Sequence, residues 1–228
     1  MSRVDMRRRL CRPSLDPQHP RYPALMRYRV DPERPAPRKV EPTIESVRRG
    51  DVIIYPTDTG YAFGCALSSP KGIQTLRRLK GIHEKHWKPL AMLVQSFNEI
   101  GRYGHMDNQT FRLMRRLLPG PYTLVLRSTK DVPRSMRNRH NEVGLRLPDH
   151  TLCGMLVDLL GEPLLTGSVT PSEEPPDLED PEQLEKQYRG DVAVVLDGGP
   201  LWPNPSTILR CNMDGIEVLR EGQGAPPG

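Results

Sequence analysis

The chain has 228 residues, 36% of them hydrophobic and 27% charged, and a formal net charge of +5. That length suits one sizeable core, and a single globular domain with extensions is the simplest expectation. No apolar run approaches the roughly 20 residues that span a bilayer, and Cys11, Cys65, Cys153 and Cys211 show no C-x-x-C spacing, so the sequence suggests no membrane helix, zinc ribbon or disulfide framework.

Residues 1–25 set Pro13, Pro17, Pro20 and Pro23 among arginines without any apolar period, and read as a flexible basic arm outside the fold. Its arginines precede no apolar h-region, and the prolines together with Asp5 and Asp16 oppose a transit-peptide helix, so a soluble protein of the reducing cytoplasm is expected. A helix runs through Ile44 to Arg49 and stops at Gly50, and the strand Val52 to Tyr55 follows it. Pro70 opens a helix whose stripe of Ile73, Leu76 and Leu79 leads to Lys80. Leu90 to Val94 reads as a strand, and Phe111, Met114, Leu117 and Leu118 mark a helix halted by "PGP". Strand-like runs recur at "YTLVLR", "VGLRLP", "PLLTGS", "VAVVLDGG", "STILRC" and "IEVLRE", with the helix "TLCGMLVDLLG" among them. The Pro-rich "TPSEEPPDLEDPEQLEKQ" reads as a surface loop entering a short helix. Strands and helices that mix without a strict repeat predict an α/β fold with parallel and antiparallel pairs in one sheet.

Charge is distributed unevenly: residues 71–139 hold 15 Lys/Arg against 4 Asp/Glu, whereas residues 142–228 hold 5 against 16. A basic block of this kind attracts polyphosphate or RNA, and solvated helix faces balancing an acidic neighbour are the plainer alternative. No G-x-x-x-x-G-K-[ST] phosphate loop is present, and "GQGAPPG" lies where no helix follows. His83 and His86 stand three apart, not the four of H-E-x-x-H, so surface histidines are the simpler reading and no metal ligand is assigned. No Ser sits in G-x-S-x-G and no Cys has an evident His partner, so covalent catalysis has no support.

What remains is a group of hydroxyl and cationic residues at expected strand ends: Thr57, Thr59, Tyr61, Lys80, Arg146, Ser168, Ser206, Thr207 and Arg220. Open α/β sheets place ligand clefts at such a rim, and hydroxyls with cations suit a polar anionic ligand. For any single hydroxyl the competing explanation is turn chemistry, since Ser, Thr and Asp bond their own backbone in loops.

The stretch "GDVIIYPTDTGYAFG" resembles the opening signature of the YrdC/YciO family, a Pro-Thr-acid-Thr-x-Tyr-x-x-Gly pattern after a first strand. The likeness continues in the family's order through "LPGPYTLVL", "VGLRLPDH", "LDGG", "PSTIL" and "LREG", over about residues 26–222, leaving 223–228 as a tail. The resemblance implies a single YrdC-like domain, a twisted mixed sheet flanked by helices around a basic concave cleft. It also implies a threonylcarbamoyladenylate synthase-like activity, a nucleotidyltransfer that condenses L-threonine, bicarbonate and ATP with release of pyrophosphate. Magnesium would accompany the ATP, with no tightly bound protein metal. The product would feed tRNA threonylcarbamoyladenosine modification, with tRNA-modification proteins as partners. On this resemblance Thr57, Thr59 and Tyr61 line the threonine and carbamate end. Lys80, Arg146 and Ser168 are the catalytic candidates, and they bind nucleotide together with Ser206, Thr207 and Arg220.

Two departures resemble the YciO branch. The synthases carry Lys-x-Arg-Pro where this chain reads Lys80-Gly81-Ile82-His83, with Lys85 and Lys88 as candidate substitutes, and Ser168-Val169-Thr170 replaces the family's Ser-Ala-Asn. A YciO-type nucleotide or double-stranded RNA binder without the synthase chemistry therefore stands as the alternative. Aromatic residues make up only 5% of the chain, so RNA contacts would rest on phosphates and shape.

Overall fold

A computed structural model describes residues 25–82, 90–133, 136, 140–170, 177–212 and 215–227. The basic arm up to residue 24, the His83 to His86 motif, and Lys85 and Lys88 lie outside the described residues. In chain order the elements are β1 (Met26–Arg29), α1 (Pro37–Arg48), β2 (Ile53–Thr57), β3 (Gly60–Ala66), α2 (Pro70–Leu79), β4 (Ala91–Leu93), α3 (Phe97–Tyr103), α4 (Asn108–Leu117), β5 (Tyr122–Arg127), β6 (Glu142–Arg146), α5 (Thr151–Leu160), β7 (Leu164–Ser168), α6 (Pro181–Gln187), β8 (Val194–Asp197), β9 (Thr207–Asn212) and β10 (Gly215–Arg220).

Local chemistry explains most helix ends. Ser69 accepts from the Gly72 N–H at the head of α2, and Asp107 accepts from Thr110 N–H at the head of α4. α5 ends at Gly161, whose φ of 79° is the left-handed conformation that glycine adopts without strain. α1 ends at Arg48 beside Gly50, as expected, and extends that reading backwards: it begins at Pro37 and carries Pro42 in its interior. Pro37 sits at the helix start, where a missing N–H costs nothing. Val40, Ile44 and Val47, spaced for one helical face, are fully or almost fully buried, and that burial outweighs the break at Pro42. Phe111 of α4 is 44% exposed and meets Phe97 edge to face at 6.5 Å.

The ten strands form one mixed sheet in the order β1-β8-β2-β3-β7-β4-β6-β5-β9-β10. Parallel pairs join β8 to β1 and β2, β4 to β6 and β5 to β9, and the other neighbours are antiparallel. Successive strand residues face opposite sides, so the sheet has two differently covered faces. One face packs along its whole width: Ile54, Phe63, Met92, Leu124, Leu145, Leu165 and Leu209 join Leu76 of α2, Ile100 of α3, Met114 of α4 and Leu184 of α6. On the other face Ile53, Tyr55, Ala62, Leu93, Leu164 and Val194 meet α1 and α5 through Val40, Ile44, Leu152 and Leu156. Each such aliphatic side chain contributes about 1.5–3 kcal/mol on burial. Among the described residues, β5, β6, β9 and β10 contribute nothing to this second cluster. Thr123 and Arg146, which alternate with Leu124 and Leu145, lie on that half-face.

Candidate functional site

The β2–β3 hairpin shows why hydroxyls crowd at the end of its first strand. Thr57 pairs with Gly60 across a two-residue turn of Asp58 and Thr59. The Thr57 hydroxyl donates to Gly60 O at 2.7 Å, accepts the Thr59 N–H at 3.1 Å and lies 3.2 Å from the Thr59 hydroxyl. Gly60 has a φ of 114°, and a Cβ there would lie 2.8 Å from Glu179 Oε2 and 3.1 Å from Pro203 Cα, so glycine is required. The turn chemistry weighed against a binding role is therefore real for Thr57 and Thr59.

The same turn aims Asp58 at Arg146, at the end of β6. Arg146 Nη2 donates to Asp58 Oδ1 at 2.7 Å and to Thr59 Oγ1 at 3.0 Å, with the two charged side chains only 6% and 9% exposed. Asp58 Oδ2, Arg146 Nε and His150 Nδ1 are buried without a hydrogen-bond partner. Buried polar groups are nearly always satisfied, so three unused valences in one neighbourhood mark spare bonding capacity. Burial holds the His150 imidazole below its ordinary value, the opposing pull of Asp58 and Asp149 being weaker, which favours the neutral ring.

Lys80 caps α2 and reaches the end of β7, where its Nζ donates to Ser168 O at 2.5 Å. Ser168 pairs with Ala62, so its side chain lies on the α1/α5 side of the sheet. Tyr61, one step along β3, faces the opposite side: its hydroxyl accepts from Gly198 N–H at 2.9 Å and donates to Gly199 O at 2.8 Å, and its proton is held tightly, mainly by burial. The Tyr61 backbone N–H donates to Glu179 Oε2, and the Thr170 hydroxyl to Glu179 Oε1, each at 2.5 Å.

Ser206, before β9, stands apart from Arg146 but on the same half-face. Its hydroxyl meets Thr123 Oγ1 at 2.8 Å, and Arg220 donates to its carbonyl from Nε and Nη2 at 3.1 and 2.7 Å. Thr207 turns the other way, donating to Gly224 O and accepting from Gly222 N–H. The two groups are bridged by backbone. Asn204 N–H donates to Thr59 O at 3.2 Å, and the Gln223 amide, turned so that its nitrogen faces two carbonyls, donates to Asp58 O at 3.1 Å and Asn204 O at 3.3 Å.

The nine predicted residues thus separate. Thr57, Thr59 and Arg146 form one node, Lys80 and Ser168 a second, and Ser206 and Arg220 a third, while the hydroxyls of Tyr61 and Thr207 are engaged with backbone. Sequence reasoning did not assign Asp58, which lay inside the quoted motif between its two threonines, or Glu179. Only its partners distinguish Glu179 from the other acids of its Pro-rich segment. Cys65, Cys153 and Cys211 are buried and unpaired, and burial pushes the Cys65 thiol up to about 12 and that of Cys211 to about 11, the reverse of what a nucleophile needs. Among the described residues no group of three or more His, Cys, Asp or Glu is arranged to hold a metal, and no helix is long and apolar enough to cross a membrane.

A family model described as Sua5_yciO_yrdC, telomere recombination, matches residues 45–222. The chain belongs to the Sua5/YciO/YrdC family. It is 33% identical to the protein YciO of Escherichia coli K12 over 86% of this chain and 95% of that one. The crystal structure of E. coli YciO superposes with a TM-score of 0.82 at 31% identity, covering 88% and 97% of the two chains. Family relatives include the threonylcarbamoyl-AMP synthase of Bos taurus, 28% identical over 79% of this chain and 63% of that protein. Sua5 of P. abyssi shares the fold, with a TM-score of 0.75 at 23% identity over 87% of this chain and 57% of that one. Ile82, two residues after Lys80, packs on the main core cluster.

Proposed function

We propose that this protein is a threonylcarbamoyl-AMP synthase-type nucleotidyltransferase acting on L-threonine, bicarbonate and ATP. The observation that carries the reading is the Asp58–Arg146–Thr59 node, buried on the uncovered half-face with partnerless polar atoms beside it. It gains weight from the synthases among the relatives and from a family structure, that of P. abyssi Sua5, determined in complex with L-threonine. In the proposed reaction the threonine amine bonds to the bicarbonate carbon with loss of water. An oxygen of the resulting carbamate then attacks the α-phosphorus of ATP, displacing pyrophosphate. Such chemistry needs alignment and charge neutralisation more than a covalent protein intermediate.

Arg146, Lys80 and Arg220 supply cations toward the phosphates and Ser168 and Ser206 hydroxyls, while Thr57 and Thr59 border the amino-acid end; the hydroxyls of Tyr61 and Thr207, bonded to backbone, hold the adjoining segments in place. A magnesium ion arriving with ATP would neutralise phosphate charge. The adenylate would then serve tRNA threonylcarbamoyladenosine modification. The test is pyrophosphate release by the purified protein with and without L-threonine and bicarbonate, alongside chromatography of the nucleotide product. Release that requires both, with a threonylcarbamoyl-adenylate peak, is expected, and saturable ATP binding with no turnover would refute it.

One observation favours the non-catalytic alternative. A groove of about 740 Å³ between α4 and β10 is lined by Arg112, Leu113 and Arg116 of the basic stretch and by Ile216 and Val218 of the acidic one. Phosphate-dominated RNA binding there would weaken steeply between low and physiological salt, whereas a flat response would exclude it.

A further inference from the structure

Glu179 belongs to a strongly acidic segment, yet it is 5% exposed. A buried carboxylate is costly unless its oxygens are bonded, and an apolar side chain would fill the same space more cheaply. Both oxygens are bonded here, and to two different segments: Oε2 accepts from the Tyr61 N–H at the start of β3, and Oε1 from the Thr170 hydroxyl just beyond β7. The Glu179 backbone is itself fixed, exchanging bonds with Leu201 in both directions at 2.8 and 3.0 Å and preceding the α6 N-cap, Asp180. A third contact depends on its position, because the side chain fits against Gly60 only where that residue lacks a Cβ. Lys80 contributes an attractive charge to the same carboxylate.

We propose that Glu179 is a positioning residue whose carboxylate clamps the β2–β3 hairpin to the end of β7, setting the geometry of the amino-acid end of the cleft. The segments it joins carry Thr57, Thr59 and Tyr61 on one side and Ser168 and Thr170 on the other, and the Val169 N–H bond to Tyr61 O at 2.9 Å lies between them. Without the clamp these strand ends keep their ladder bonds but lose the side-chain tie that fixes their spacing. The assignment of that end to threonine rests on the proposed function, whereas the clamp itself does not.

The test compares the parent protein with Glu179→Ala, Glu179→Gln and Thr170→Val. Glutamine retains both bonds, its carbonyl accepting from Tyr61 N–H and its amide donating to the Thr170 hydroxyl, so it should behave as the parent does. Alanine removes both bonds and valine one. Amide hydrogen exchange at Tyr61 and Val169 is expected to accelerate about tenfold or more in Glu179→Ala, less in Thr170→Val and not in Glu179→Gln. By titration calorimetry L-threonine affinity should fall about tenfold in Glu179→Ala, with ATP affinity changing less than threefold and Glu179→Gln restoring the parent value.

Unchanged exchange at both amides in Glu179→Ala overturns the proposal, as does a lowered melting temperature with unaltered threonine affinity in a parent that binds threonine. If Glu179→Ala does not fold, graded exchange in Thr170→Val with parental behaviour of Glu179→Gln supports the clamp, and parental exchange in Thr170→Val refutes it. A parent that binds neither threonine nor ATP removes the functional reading, while the exchange data still decide the clamp.

Discussion

Replacing Asp58 by Asn leaves the Arg146 guanidinium, whose side chain is 6% exposed, without its counter-charge at 2.7 Å. Removing one partner of a buried ion pair costs about 3–5 kcal/mol, because the remaining charge is neither solvated nor paired. In a domain of this size each kcal/mol lowers the melting temperature by about 2–4 °C, so Asp58→Asn should melt roughly 6–20 °C lower. Arg146→Met alone should fall in the same range, by leaving Asp58 buried without its partner. The double variant removes both charges and should be less destabilised than the sum of the singles by about 1–3 kcal/mol. Urea titration at constant pH gives all four stabilities, and equal slopes would show that the folded and unfolded states keep their compactness. A shift under about 2 °C for Asp58→Asn, or strict additivity in the cycle, would refute the claim that this pair is buried and coupled.

Lys80→Ala should weaken ATP binding about tenfold, and Thr57→Ala should weaken threonine binding more than ATP binding. Calorimetric titration checks both, and parental ATP affinity in Lys80→Ala would remove that lysine from the phosphates. Gly60→Ala forces a Cβ into a φ of 114° and to within 2.8 Å of Glu179 Oε2, so a loss of about 1–3 kcal/mol in urea-denaturation stability is expected. Burial, the largest influence, raises the Glu179 carboxyl above its ordinary 4.5 despite its bonds to Thr170 and Tyr61 and the charge of Lys80. In the window from 4.5 up to that raised value the folded state binds more protons than the unfolded state. The contribution is thus fully present below 4.5 and lost as pH rises through the folded value. Glu179→Gln should flatten that part of the stability profile, and an unchanged slope would place the carboxylate in solvent.

Much of the sheet could be read from β-branched and leucine runs, because strands buried on both faces need apolar residues at nearly every position. β3 escaped notice for the converse reason: Gly60, Ala62, Gly64 and Ala66 give one of its faces little apolar bulk, although every one of its residues is buried. At Gly64 a Cβ would meet Tyr55 Cε1 at 2.8 Å, so crowding from its neighbours, not intrinsic preference, selects these small residues. The first part of α1 was hidden by prolines that burial overrides, and α3 by its shortness, since seven residues give too few turns for a period to show. In the site, residue types at strand ends pointed to Arg146 and Thr57, but the partners that define their roles are distant in sequence. Arg146 meets Asp58 across 88 positions and Tyr61 meets Glu179 across 118. Spacing arguments act over a turn or a hairpin, and contacts of that separation exist only once the sheet has formed.

The position of β8 between β1 and β2 has a consequence for synthesis on the ribosome. Ile53 pairs with Val194, roughly 140 residues later, so the edge of β2 waits for its neighbour until most of the polypeptide has emerged. β9 arrives later still to flank β5 and to bring Ser206 against Thr123. A nascent chain therefore exposes unpaired strand edges through most of its translation, and the Ser206–Thr123 contact forms only at the end. Chaperone demand should be greatest just before β8 leaves the exit tunnel.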